Sequence, residues 1–528
     1  MIATWRQLAI RQLHEALRHF EFIKRKDTEL LDLYRQAMYC EALCFEQLGD
    51  LDRAQEGLFA LTRTFPGTSE AATAQFRWGY IEYVLKNNPE VGLAAWARFF
   101  DMLASVNSRL TIADIAHVGV GEIEKLIDNK QYAKAEEMLD YFRSILSDEQ
   151  QARLFSRIYS EWGVQLNTQA ESKRNDEKQN VTRKVREKYR LAGKWYEELA
   201  KWTFSTPDYL SNVWSSAEFY EQGRDFPKAL AMYRLFLDHE MVMRQAQTHY
   251  RIGNIFFELN DIDAAIKELE YSIENFADDP VTEPARLILA YAYQEKQQWD
   301  RALHLLMLNL DGKYNPSSDV FRDSLCELGR VYDRLRDNAK TIETFGEVLR
   351  LYPDDPKTAE AHYMIAKTHL ADEKKWDDEI PLATTASREN MIRKSREEAQ
   401  RQALEHLKQT RTLLLQQEEQ RSLDKAEERM LRNTFFMIGR LLTAMGPEQY
   451  KEALQENKTA VARYQNHPDV LQAYLQLAHV HQLLDEPDQA SHITTQAKNL
   501  FTQFRAANAF RQETIYSESQ WQELLGTP

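Results

Sequence analysis

The sequence predicts an all-α protein, a right-handed α-solenoid of helical hairpins that charged helical insertions interrupt. Apolar residues recur at helical spacing in pairs of runs, and a short turn separates the two runs of each pair. Small residues bracket these turns at a constant separation of 12 residues. The 528 residues include only 17 glycines and 14 prolines, and sheets joined by tight turns generally use more of both.

The stretch 246–280 shows one hairpin most clearly. Its two apolar runs consist of Ile252, Phe256, Leu259, Ile266, Leu269 and Ile273. Asn260 and Asp261 lie between the runs, where a helix must end and the chain must reverse. Gly253 and Ala265 are the small residues of this hairpin. We expect them to let the two helices approach closely.

The same separation recurs in five other places along the chain. The pairs are Ala42 with Ala54, Ala217 with Ala229, Ala290 with Ala302, Gly329 with Thr341, and Ala478 with Ala490. In the middle of the chain the second small residues follow one another after 36, 37 and 39 residues. Such a period is typical of a solenoid, in which each hairpin packs only on its neighbours.

This pattern divides the chain into five predicted segments. They are N-terminal hairpins with a leading helix at 1–168, a charged linker and helix at 169–205, a central array at 206–370, a charged helical insertion at 371–430, and C-terminal hairpins with a polar tail at 431–528. Hairpins 69–103 and 111–146 depart from the 12-residue separation. We expect the tail to fray from Arg505 onward.

Two charged stretches leave alternatives open. The stretch 171–190 predicts either an exposed loop or frayed helix, or a basic docking segment. Its cations cluster at Arg183, Lys184, Arg186, Lys188 and Arg190. The stretch 388–431 predicts a long solvent-exposed helix, or a helix pair that projects from the array, supported by charge pairs four residues apart. It sustains no heptad seam, so a coiled coil is the weaker interpretation.

Composition excludes several classes of protein. The net charge of −15 repels phosphate backbones, so we predict no nucleic-acid partner. Cys40, Cys44 and Cys326 have no accompanying ligands at zinc-site spacing, and they predict neither a metal site nor a disulfide framework. We expect no cofactor. No stretch of 18 uninterrupted apolar residues occurs, so we predict no transmembrane segment.

The first 26 residues favour an amphipathic helix over a signal peptide. We therefore expect a cytoplasmic protein, or a periplasmic or envelope-associated one if an export signal is missing from this chain. The sequence leaves the oligomeric state open.

Catalytic motifs are lacking as well. His14 and His19 are five residues apart, whereas a zinc-protease helix needs two histidines four residues apart on one face. No phosphate-binding loop and no Gly-x-Ser-x-Gly elbow occurs. We therefore predict that the protein is not an enzyme.

The repeated hairpins resemble the tetratricopeptide repeat family, whose helical hairpin recurs about every 34 residues. The motif elements are Gly253, Phe256 and Ala265; Gly329, Tyr332, Phe345 and Pro353; and Ala42, Phe45, Ala54, Leu58 and Pro66. The resemblance covers about two-thirds of the chain. The phrase at 351–361 is similar to repeats of bacterial envelope proteins, which suggests a bacterial-type helical repeat protein.

In this family the first helix of each hairpin lines a concave groove, which implies a set of partner-binding residues. These are Trp214, Glu218, Tyr250, Asn254, Phe257, Tyr291, Gln294 and Arg330. Aromatic side chains there can bury apolar ligand groups, while Asn and Arg can hold a peptide backbone or a carboxylate. The alternative is that Tyr250, Phe257 and Tyr291 simply pack within the solenoid.

Chaperone-binding members of the family hold their ligand with a clamp of Lys and Asn. Here only Asn254 matches the clamp, because the other positions hold Trp214, Leu287 and Cys326. We therefore do not expect recognition of chaperone C-terminal tails.

The resemblance implies a non-enzymatic scaffold or adaptor that binds a protein or peptide through its concave face. The alternative function is that of a structural or cell-envelope-associated assembly component that self-associates.

Overall fold

A computed structural model describes residues 10–21, 31–103, 111–171, 175–240, 242–311, 315–371, 376, 379–382, 385–511 and 514–526. Over these ranges the chain is helical and has no β-strand, which confirms the all-α prediction. The chain forms two compact units, Met1–Met241 and Val242–Pro528. This boundary falls inside the segment 206–370, and the five predicted segments stay a prediction.

The N-terminal unit is a succession of helical hairpins. Its helices are α1 (10–21), α2 (Leu31–Leu48), α3 (Leu51–Thr64), α4 (Ser69–Tyr80), α5 (Pro89–Leu103), α6 (Ile112–Asp128), α7 (Tyr132–Phe142), α8 (Asp148–Glu171), α9 (Asn175–Trp202), α10 (Tyr209–Gln222) and α11 (Phe226–His239). A π-helical stretch, Ile81–Leu85, continues α4. From α2 onward the helices pack in the pairs α2/α3, α4/α5, α6/α7, α8/α9 and α10/α11.

One apolar cluster runs from α4 to α9 and forms much of the core of this unit. At its centre the fully buried Trp96 meets Phe142 edge to face, with ring centroids 5.2 Å apart. Trp96 Nε1 donates a 3.0 Å hydrogen bond to the Phe76 carbonyl, so the buried indole leaves no donor unpaired. Aromatic residues therefore fill the space between hairpins.

The charged stretch 171–190 differs from the first interpretation of the sequence, a loop or frayed helix. Residues 172–174 lie outside the described ranges, and from Asn175 onward the stretch belongs to the continuous helix α9. Val185 and Tyr189 are buried, and α9 packs along α8 and α10. The sequence obscured this helix because its apolar residues are few and widely spaced.

The C-terminal unit continues the same plan. Its helices are α12 (Gln245–Glu258), α13 (Ile262–Asn275), α14 (Thr282–Glu295), α15 (Trp299–Asn309), α16 (Asp319–Arg334), α17 (Asn338–Leu351), α18 (Thr358–Ala371), α19 (Ala386–Gln420), α20 (Lys425–Ala444), α21 (Tyr450–Tyr464), α22 (Val470–Leu483), α23 (Pro487–Ala506) and α24 (Glu518–Leu525). The hairpins are α12/α13, α14/α15, α16/α17, α18/α19, α20/α21 and α22/α23, and α24 packs on α23. Short 3₁₀ turns occur at Ile380–Leu382, Pro447–Gln449 and Ala509–Arg511.

A recurrent turn joins the two helices of the regular hairpins. Seven residues after the first small residue of each pair, the backbone takes a positive φ, at Gly49, Arg224, Asn260, Gln297, Arg336 and Asp485. The next residue is the N-cap of the second helix. In three hairpins it is an aspartate whose carboxylate accepts a backbone N–H hydrogen bond, at Asp50, Asp261 and Asp337. One left-handed residue followed by one cap therefore reverses the chain.

The small residues predicted between the two helices do lie at a close approach. A Cβ added to Gly253 would lie 2.7 Å from Leu269 Cγ, and one added to Gly329 would lie 2.7 Å from Phe345 Cε2. Ala265 and Ala302 are fully buried. The structure thus confirms the predicted role of the 12-residue separation in these hairpins.

The charged stretch 388–431 is not a projecting element. Helix α19 packs along α18 and also contacts α20. It buries one narrow stripe of side chains: Ile392, Ala399, Gln400, Ala403, Leu407, Thr410 and Leu414. These positions recur every three or four residues, so the helix is a full member of the stack with a charged outer surface.

The expectation that the tail frays from Arg505 is wrong for residues 514–526. Helix α24 begins with a capping box between Ser517 and Gln520. Trp521 is fully buried against Val470 and Phe501, so the polar tail carries a helix that closes the apolar end of the stack. Within the described ranges, no helix combines the length and the apolar character that crossing a bilayer requires.

Candidate partner-binding surface

The first helices of successive hairpins form one layer of the C-terminal unit. Helix α14 contacts both α12 and α16, and α18 contacts α20, which contacts α22. Six of the eight predicted partner-binding residues lie on this layer: Tyr250, Asn254 and Phe257 on α12, Tyr291 and Gln294 on α14, and Arg330 on α16.

An aromatic corner forms between α12 and α14. The half-buried rings of Phe257 and Tyr291 stack with centroids 6.3 Å apart and planes 29° apart. Burial, followed by the charge of Glu327, raises the pKa of Tyr291, so its hydroxyl stays protonated. The Gln294 Nε2 atom is buried and has no hydrogen-bond partner among the described residues. The corner therefore presents part of two stacked rings, while the unpartnered Gln294 nitrogen is closed to solvent in this conformation.

Both interpretations of the aromatic residues find support in the packing. Tyr250 and Tyr291 are half-buried and also pack against the apolar core beneath them. Asn254, one helical turn from Tyr250, is half-buried as well. These side chains contribute to the fold while presenting part of their surface.

Arg330 forms ion pairs within the chain that the sequence did not predict. Its Nε and Nη2 donate to the two carboxylate oxygens of Glu360, at 2.7 and 2.6 Å, and its Nη1 donates to Glu327 at 2.7 Å. Burial by itself lowers the pKa of Arg330, but these two carboxylates raise it above its ordinary value. The guanidinium ties α16 to α18, and it is already saturated by carboxylates of its own chain.

Trp214 and Glu218 belong to helix α10 of the N-terminal unit. Trp214 is only 3% exposed, and its ring lies edge to face with Tyr233 and Phe236 at 5.3 and 5.0 Å. The α10/α11 hairpin therefore leaves little of the Trp214 ring exposed, and its contact with a partner stays a prediction. Glu218 is half-buried.

The two remaining positions of the chaperone-type clamp are apolar and closed to solvent. Leu287 and Cys326 are both buried. Burial, followed by the charge of Glu360, raises the pKa of the Cys326 thiol to about 12. A thiol that stays protonated is neither a cationic clamp residue nor a nucleophile.

The sequence analysis missed a ladder of ion pairs that joins α16 to α18 and to the turn before α18. Lys357 Nζ lies 2.6 Å from Asp323, Lys367 Nζ 2.8 Å from Asp333, and Arg322 Nη1 2.8 Å from Asp355. The first two pairs are each 34 residues apart. Opposite charges separated by about one repeat were the signal that could have revealed them.

A groove of about 510 Å³ lies between α18 and α20 and was also missed. Its walls include Tyr363, Lys367, Arg429 and Asn433, and Ile515 from the C-terminal segment closes it. The Asn433 Oδ1 atom is buried and has no hydrogen-bond partner within the described ranges. No periodic pattern could predict this groove, because one wall comes from the tail.

Two hairpins match family models. The stretches 246–278 and 323–355, which correspond to α12/α13 and α16/α17, each match a model described as tetratricopeptide repeat. Each of these two hairpins is therefore a tetratricopeptide repeat. The resemblance inferred from the small-residue pairs is thereby confirmed, whereas a bacterial origin stays a prediction. No curated protein matches the sequence significantly.

Several solved structures match this chain at low identity. The C-terminal part of a repeat protein from Cytophaga hutchinsonii is 12% identical, with 56% of this chain and 97% of that chain covered and a TM-score of 0.39. A repeat protein from Parabacteroides merdae is 12% identical, with coverages of 60% and 97% and a TM-score of 0.33. Yeast Tom70 is 13% identical, with coverages of 98% and 92% and a TM-score of 0.33. Scores at this level establish no shared function.

Tetratricopeptide repeats are protein–protein interaction scaffolds in general, and the fold is typically not catalytic. The repeats therefore imply that the partners of this chain are proteins, without indicating which proteins they are. Among the described residues, no group of three or more His, Cys, Asp or Glu is arranged to hold a metal ion.

Proposed function

We propose that the protein is a non-enzymatic adaptor whose C-terminal unit binds an extended segment of a partner protein along its layer of first helices. The observation that carries this proposal is the corner of Phe257, Tyr291 and Gln294. A buried amide nitrogen without a partner costs free energy, and rotation of the Gln294 side chain toward a peptide carbonyl beside the two rings would satisfy it.

The residues around this corner fit the same role. Tyr250 and Asn254 continue the surface along α12, one turn apart. Aromatic anchors that are already packed lose little entropy on binding, and such residues dominate the energy of many interfaces. Arg330 is not part of the binding surface in this proposal, because it holds α16 to α18.

Site-directed photo-crosslinking tests the proposal. A photoreactive residue at Asn254 should capture a defined protein from the native host, and the same residue at the exposed Glu343 on α17 should not. Phe257→Ala combined with Gln294→Ala should weaken the purified complex by roughly tenfold or more, as expected for loss of an anchor residue.

A matched control separates binding from folding. Glu343→Ala should leave the affinity for the captured partner unchanged. Circular dichroism should show that this variant and the Phe257→Ala, Gln294→Ala variant both keep their helix content. Capture at Glu343 but not at Asn254 would refute the proposal. The alternative, a self-associating assembly component, predicts that the mass measured by light scattering rises with protein concentration.

A further inference from the structure

The outer surface of the C-terminal unit has a pocket between two second helices, α13 and α15. The pocket encloses about 360 Å³, and its floor is apolar, formed by Ile273, Leu289 and Leu305. Leu289 and Leu305 are buried among their neighbours. The pocket is therefore an apolar depression between α13 and α15, with part of its floor supplied by α14.

Carboxylates dominate the rim of this pocket. Glu270, Glu274 and Asp300 line it together with Arg301 and His304. Glu270 accepts a hydrogen bond from the Tyr293 hydroxyl. Glu274 and Asp300 are exposed and make no ion pair with any residue of the described ranges.

The single arginine on the rim does not cancel this charge. The Arg301 guanidinium lies over the Tyr293 ring, 5.3 Å from its centroid, and its Nη1 is 3.4 Å from the Tyr293 hydroxyl. Its cation is thus directed at the ring, which leaves the carboxylates of Glu274 and Asp300 unpaired.

A second depression on the other side of α13 extends the same surface. It encloses about 560 Å³ and shares Glu270 and Glu274 with the pocket. Tyr271, which is 46% exposed, and the exposed Lys267 also line it. The two depressions therefore flank one acidic ridge along α13.

We propose that this ridge docks a basic segment of a partner protein, and that a lysine or arginine side chain of the segment enters the pocket. The aliphatic stem of such a side chain would cover Leu289 and Leu305, while its charged end would meet Glu274 and Asp300. This interface uses none of the residues Phe257, Tyr291 and Gln294, so it can be tested separately from that surface.

Charge complementarity selects this occupant over others. An acidic peptide, a nucleic acid or an anionic lipid surface would be repelled by unpaired carboxylates. A purely apolar segment would cover the apolar floor of the pocket, but it would also remove water from the carboxylates and offer them no new hydrogen bond or ion pair.

Fluorescence anisotropy with synthetic peptides tests the proposal. The probe is a labelled peptide in which lysine and arginine alternate with leucine, measured at low and at physiological salt. Glu274→Lys combined with Asp300→Lys should weaken its binding by roughly tenfold, because two attractions become repulsions.

The control variant carries the same change in net charge elsewhere. Glu343→Lys combined with Asp354→Lys alters two exposed acidic residues outside the pocket and should reduce affinity far less. Replacing the peptide leucines with serine should also weaken binding to the unaltered protein. Phe257→Ala with Gln294→Ala should leave the affinity unchanged, which keeps this test separate from that of the proposed function.

Three outcomes would overturn the proposal. Equal losses in the pocket and control variants would show unspecific attraction to an acidic protein. A glutamate-substituted peptide that binds equally well would exclude charge recognition. Self-association that the pocket variant abolishes, seen by light scattering, would assign the ridge to a second copy of this chain.

Discussion

Hairpins α12/α13 and α18/α19 belong to the same stack, but their second helices differ in length and composition. Helix α13 has 14 residues, and its buried side chains are Ala265, Leu269 and Ser272. Helix α19 has 35 residues, and alanines, Thr410 and Gln400 make up most of its buried stripe. Both helices nevertheless pack against the first helix of their own hairpin and the first helix of the next.

The long helix α19 pairs its charges with those of the second helix of the next hairpin. Lys408 Nζ lies 2.8 Å from Glu452, Arg411 Nη1 lies 2.5 Å from Glu456, and Arg463 Nη2 of α21 lies 2.6 Å from Glu418. These pairs join the second helices α19 and α21, just as another ladder joins α16 and α18. A charged stretch in such an array can therefore be a seam between neighbouring helices, although each exposed pair contributes little by itself.

Removing an apolar side chain from the narrow stripe should have the largest effect. We expect Leu407→Ala to reduce the free energy of unfolding by about 2–5 kcal/mol, because the fully buried leucine leaves a cavity. Leu269→Ala in α13 should cost a similar amount. Chemical denaturation followed by circular dichroism measures both.

Met391 on the same helix provides the control, since it is 64% exposed. Met391→Ala should change the free energy of unfolding by no more than about 0.5 kcal/mol. If Leu407→Ala were equally harmless, α19 would be a projecting helix after all, and the similarity between the two hairpins would fail.

This contrast explains how far the sequence could lead. The fold followed from repetition, because Gly253, Ala265 and their equivalents mark a steric requirement that each hairpin must meet. The packing of α19 was missed because alanines, Thr410 and Gln400 make up more than half of its buried stripe, and these residues add little to local hydropathy. The sequence also did not predict the burial of Trp214. The family pattern indicates the helix on which a residue lies, but not how deeply neighbouring side chains bury it.

The candidate site was harder to predict from the sequence, for a different reason. The stacking of Phe257 on Tyr291 joins residues of two hairpins, and periodicity gives their helix faces but no distances. The capture of Arg330 by Glu360 and Glu327 depends on which of many nearby charges are within reach. Such contacts are decided by packing and not by pattern.

Acid sensitivity should be the second difference between the two hairpins. His362 of α18 and His406 of α19 face each other with their Nδ1 atoms 2.7 Å apart, and His369 lies next to the same ring. Burial, with the neighbouring His406, lowers the pKa of His362 to about 4, and burial also lowers the pKa of His369 and His406. Glu398 and Glu405 oppose the shifts of His369 and His406 only in part.

The direction of the pH dependence follows from the number of protons that each state binds. The unfolded chain takes up protons below pH about 6.5, whereas the folded pair resists them. Stability should therefore be full above pH about 6.5 and fall progressively as the pH drops toward about 4. Urea midpoints of the whole protein at neutral and mildly acidic pH measure the effect, and His406→Gln should flatten the dependence. An unchanged slope in that variant would remove the histidine pair as its cause.

The tight turns give the smallest expected effect, and they occur in the regular hairpins. Gln297 and Arg336 have φ of +57° and +59°, which costs an ordinary side chain about 1–2 kcal/mol. Gln297→Gly removes this strain but adds flexibility to the unfolded chain, so we expect a net gain in stability of about 0.5–1 kcal/mol. Glu295→Gly, two residues earlier in α14, should instead lose about 1 kcal/mol, because that residue is helical. The midpoint temperatures of thermal unfolding of the two variants should shift in opposite directions. A lower midpoint in both variants would mean that the left-handed turn is not the feature that separates the regular hairpins from α18/α19.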